Sequence, residues 1–63
     1  MNYSDLTDGL DITVIDPITE EKCTGSISKK DWYFVASWTV SGFPSNAEIK
    51  DQTDIEIFKI EKA

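Results

Sequence analysis

The sequence predicts a mainly β fold: a small four-stranded antiparallel sheet, or a partly closed barrel, with a short helical turn before the last strand. Three observations carry this. Trp32, Phe34, Ala36, Trp38 and Val40 alternate with Tyr33, Val35, Ser37 and Thr39, the period-2 pattern of a strand with one buried face. Proline and glycine punctuate the chain at Asp16-Pro17 and Gly42-Phe43-Pro44. One stretch, starting at Ser45, carries a capping-box signature. An α+β arrangement, with the Ser45 segment packed on one sheet face, is the alternative.

Met1 to Gly9 reads as an irregular or single-turn segment, with Tyr3 and Leu6 spaced to pack together beneath it. Leu10 to Ile15 is the first strand, and Leu10, Ile12 and Val14 share its inward face. Asp16-Pro17 ends it, because proline cannot donate to a ladder. Ile18 to Lys22 is a polar loop. Cys23 to Ser28 is a short strand with Cys23 (or Thr24) and Ile27 inward, and Gly25 marks a bulge or a close backbone approach. Ser28 to Asp31 is a hydrophilic hairpin turn.

The aromatic strand follows, with Trp32 and Trp38 on one face as its largest core residues. Gly42 to Asn46 breaks it. The capping-box spacing Ser45-x-x-Glu48 predicts one or two helical turns over Asn46 to Gln52. Thr53 to Lys62 is the last strand. Its apolar parity flips between Ile57 and Phe58, so either a bulge sits there or both faces are covered.

Sixty-three residues make a single small domain, 1–63, with a marginal core. The net charge is −6, and its excess lies wholly in the first third, in Asp5, Asp8, Asp11, Asp16, Glu20 and Glu21. There is no arginine, so direct nucleic-acid binding and anionic membranes are not expected partners. No apolar run approaches a membrane span. The first residues lack a basic and then apolar leader pattern, and Cys23 is the lone cysteine. Both features lead to the expectation of a cytoplasmic protein.

No catalytic residue, metal site or cofactor is expected. The chain has no histidine, the usual acid–base group near neutral pH. Cys23 neighbours Glu20 and Glu21, which oppose thiolate formation. Asp5, Asp8 and Asp11 recur every third residue, a spacing that does not fit a calcium loop. A solvated acidic turn is the simpler reading.

Function follows by elimination. The first expectation is a non-enzymatic protein–protein interaction module, an accessory or inhibitory protein docking on a larger enzyme. Proteins of this size and charge are also made by mobile genetic elements such as phages, an analogy only. Its candidate partner-binding residues are Tyr33, Val35, Phe43, Phe58 and Ile60. All but Phe43 point away from the Trp32 face, so with Ile15 they form a second apolar face. Phe43 either anchors a partner or folds back as a lid on the core, and the lid is favoured. The second reading is a nucleic-acid mimic, in which the carboxylates occupy the basic groove of a DNA- or RNA-handling enzyme. The third is a structural subunit whose edge strand pairs in a homo-oligomer, so the partner is another protein or the chain itself as a homodimer.

Overall fold

The computed structural model describes all residues, Met1 to Ala63, and its architecture is mainly β. A 3₁₀ turn, Tyr3–Asp5, precedes strands β1 (Asp11–Ile15), β2 (Lys22–Lys29), β3 (Phe34–Val40) and β4 (Phe43–Ile49). Helix α1 (Gln52–Ile57) and a two-residue strand β5 (Glu61–Lys62) complete the chain. The strands form one sheet in the order β4-β3-β2-β1-β5, and every neighbouring pair is antiparallel. β4 and β5 are its two edges, so the sheet does not close into a barrel.

One sheet face is apolar and covered. Ile12, Val14, Ile27, Ala36, Trp38 and Ile49 share it by register, and all are buried. The chain leaves β4, crosses this face through α1 and returns as β5 beside β1, contributing Ile55 and Ile60 to the core. Leu6 closes it from the N-terminal segment. Gln52 pins that segment to the helix, since its Oε1 accepts from the Tyr3 N–H at 2.7 Å and its Nε2 donates to the Met1 carbonyl at 2.9 Å.

The opposite face is polar. Thr13 faces Thr24, and Ser26, Ser37 and Asn46 form a continuous row. Ile15, Val35 and Pro44 interrupt it singly with apolar side chains, so the expected second apolar face does not exist. Ile60 is 1% exposed and belongs to the core, and Phe58 lies half-buried with its ring 5.9 Å from that of Trp38. Both were expected outside because the C-terminal segment reads as a strand. Its first half is helix, and helical spacing sends Ile55 and Phe58 to one side.

Three further elements differ from expectation. Trp32 is 69% exposed. The Lys30 N–H donates to the Tyr33 carbonyl at 2.9 Å, so Trp32 rides on a hairpin turn and β3 starts only at Phe34. The predicted helix over Asn46 to Gln52 is strand β4 as far as Ile49, because ladder pairing with β3 outweighs a local capping signal. The helix starts instead after Asp51, whose carboxylate accepts the Asp54 N–H at 3.3 Å. Of the two expectations for Gly25, the close backbone approach holds: a Cβ there would collide with the Ser37 carbonyl oxygen.

Candidate protein-docking rim

The β3–β4 hairpin sets the geometry of one sheet edge. Its two turn residues both have positive φ, 51° at Ser41 and 81° at Gly42, the signature of a type I′ turn. Val40 and Phe43 close that turn. Pro44 stands opposite Thr39 and has no N–H, so this pair is not hydrogen-bonded. By alternation the N–H and C=O groups of Asn46 and Glu48 point away from β3, toward solvent. Pro44 is tolerated inside β4 for the same reason: its ring occupies an outward position on an edge.

Two exposed aromatics bracket this edge. Phe43, at the start of β4, is 73% exposed and is no lid on the core. The hairpin aims its side chain along the core face but beyond the reach of α1, which crosses toward β5. Trp32 stands at the other end. The Lys50 Nζ lies 5.6 Å from its ring centroid, and the Tyr33 ring meets its edge at 5.1 Å. Lys50 also pairs with Glu48 at 3.2 Å, so the rim carries balanced charge on a strongly acidic molecule. The opposite edge offers far less, since β5 has two residues, Glu61 and Lys62.

The expected site residues are therefore dispersed. Phe43 is on the rim, Tyr33 is half-buried beside Trp32, and Val35 faces the polar side next to Glu48. Ile60 is inside, and Phe58 is half-buried against the core. Sequence reasoning missed Trp32 as a surface residue. The signal was the hydrophilic run Lys29-Lys30-Asp31, which extends the turn into the aromatic stretch.

The acidic residues do not form one stripe. Asp5, Asp8 and Asp11 precede or begin β1, whereas Asp16, Glu20 and Glu21 follow its far end. Several are committed to the fold. Asp8 accepts the Lys29 N–H at 2.8 Å, and Asp54 accepts the Lys50 N–H at 2.8 Å. Asp16 is 3% exposed and accepts from the Thr19 and Ile18 N–H groups and from the Trp38 indole. The Thr19 bond first, then the indole, hold its carboxyl below the usual range against its burial. Glu20 and Glu21 lie in the β1–β2 turn with Ile18, which is 89% exposed. This turn lies beside the β3–β4 turn, and Ser41 Oγ donates to Glu21 Oε2 at 3.5 Å.

Cys23 is half-buried, and desolvation, then Glu21 and Asp16, push its thiol up and away from nucleophilic thiolate. No group of three or more His, Cys, Asp or Glu side chains is arranged to hold a metal ion. One open groove of about 480 Å³ lies between α1 and the N-terminal segment, lined by Gln52, Ile55, Glu56, Lys59 and Glu61 among others. No helix is long and apolar enough to cross a membrane. In comparisons with protein families, curated proteins and solved structures, nothing matches the chain.

Proposed function

We propose that this chain is a non-enzymatic protein-interaction module that docks through the β4 rim, acting as an accessory or inhibitory protein on a larger partner. One observation supports this above all: Phe43 and Trp32, both largely exposed, bracket a free seven-residue edge strand of balanced charge. Edge strands accept a further strand through main-chain hydrogen bonds, and tryptophan and other aromatics are the usual anchors of a protein interface. The residue inventory supports a non-catalytic role, since the chain has no histidine and its one thiol is disfavoured as a thiolate. A single free cysteine suits a reducing, cytoplasmic setting.

The test is capture of cytosolic proteins on the immobilised chain at low and high salt. Wild type is expected to retain a partner at both salts, and Phe43→Ser with Trp32→Ser to lose it. Equal capture by wild type and the double variant sinks the rim. If capture instead collapses with salt and with Glu20→Lys and Glu21→Lys, the carboxylates are filling a basic groove and the mimic reading replaces this one.

A further inference from the structure

Building on the β4 rim as a docking edge, we propose that in the free protein this edge is held by a second copy of this chain, which the larger partner displaces; the copies pair antiparallel through β4 about a two-fold axis at Asn46. The outward backbone groups of β4 are those of Pro44, Asn46 and Glu48. In this register the two Asn46 residues exchange N–H···O=C bonds, and each Glu48 N–H donates to the Pro44 carbonyl of the other copy. The missing N–H of Pro44 is the one position left without a donor.

Side-chain chemistry favours the same axis. The two Asn46 amides face each other across the polar face, extending the row of Ser37 and Ser26 into the second copy. Each Glu48 meets a proline instead of another carboxylate. Each Phe43 falls opposite Ile49 of the second copy, next to the end of β4 where Trp32 and Lys50 stand. The exposed Phe43 of each copy is thus covered by one symmetric contact. A register centred on Glu48 would oppose like charges. One displaced by two residues would set Glu48 against Asn46 and carry Phe43 past the end of the strand.

The contact involves one strand and one exposed aromatic per copy, so a weak, concentration-dependent dimer is expected. Each copy carries a net charge of −6, most of it away from the rim. Added salt therefore screens the repulsion and strengthens the pairing, the opposite of a contact made by the carboxylates.

Light scattering on the full chain over a wide concentration range tests this, with Asn46→Asp and Asn46→Lys as variants. Asn46 is exposed and its backbone donor is unused within the chain, so both variants should fold, as thermal melts will show. Wild type is expected to rise from 7.1 kDa toward twice that mass, more readily at high salt. Each variant alone should stay near 7.1 kDa, because like charges meet at the axis, and an equimolar mixture should recover the dimer. A wild type that stays monomeric at both salts overturns the proposal, as do variants that each dimerise like wild type. Strengthening by Asn46→Lys alone would move the axis off Asn46 by pairing that position with Glu48. A monomer that still captures another protein through Phe43 would sink self-pairing while keeping the docking rim.

Discussion

The Trp38 indole nitrogen donates to the Asp16 carboxylate at 3.0 Å, joining the β1–β2 turn to the centre of the sheet. Asp16 also accepts the Ile18 and Thr19 N–H groups at 2.9 and 3.0 Å. One carboxylate thus organises a turn and satisfies the only polar atom of a buried indole.

This arrangement makes stability depend on acid. The folded pKa of Asp16 lies below its ordinary 3.8, so the carboxylate contributes stability that is complete above the ordinary value. That contribution is lost as pH falls through the lower folded value. Asp16→Ala should melt at a lower temperature than wild type at neutral pH, and the gap should narrow as the solution is acidified. Parallel thermal melts down a pH series check this. A gap that stays constant with pH would show that the charge of Asp16 is irrelevant.

The two tryptophans should behave oppositely. Trp38 is 5% exposed and packs among Ala36, Phe58 and the β2 backbone, so Trp38→Ala should cost about 3–5 kcal/mol and leave little folded protein. Trp32→Ala, on the hairpin turn, should change stability by less than about 0.5 kcal/mol. Denaturant unfolding followed by circular dichroism separates the two. A large loss in Trp32→Ala would mean the turn itself holds the fold.

Much of the sheet was legible because its signal is local. Alternation gave the inward faces of β1 and β3 correctly, and Gly25 announced a tight strand contact. The C-terminal third was misread for a physical reason. Ile55, Ile57 and Ile60 favour strands intrinsically, yet this segment has to cross the sheet and cover its open face. Its break in parity at Phe58 was a helical signal, as was the Asp51-x-x-Asp54 spacing that caps α1. β4 was hidden by Pro44, which argues against a strand unless the strand is known to be an edge. The candidate docking rim was legible only in part. Phe43 stood out in its glycine–proline setting, but its partner Trp32 was assigned to the core by extending the alternation two residues too far.

Gly25 should tolerate no side chain. It stands opposite Trp38 on the core face, and a Cβ there would lie 3.0 Å from the Trp38 Cβ and overlap the Ser37 carbonyl oxygen. Relief requires β2 and β3 to separate where their ladder carries the core. Gly25→Ala is therefore expected to destabilise by about 1–3 kcal/mol, despite the better intrinsic propensity of alanine. Unfolding midpoints in urea decide it, and a neutral result would show that the two strands can shift without loss.

Lys59 is where the fold can be improved. The helix ends with the Ile60 N–H donating to the Ile55 carbonyl at 3.0 Å and the Lys59 N–H to the Glu56 carbonyl at 3.3 Å. This is a Schellman closure, with buried Ile55 and Ile60 as its hydrophobic pair. It requires a left-handed residue after Phe58, and Lys59 supplies one at φ 50°. A left-handed conformation costs an ordinary L-residue roughly 1–2 kcal/mol, part of which glycine gives back through its freer unfolded chain. Lys59→Gly should thus gain about 0.5–1 kcal/mol. In a domain this small that raises the melting temperature by several degrees. Calorimetry on the two proteins measures the shift directly. A lower melting temperature in the glycine variant would mean that the lysine side chain stabilises the helix end by more than its backbone strain costs.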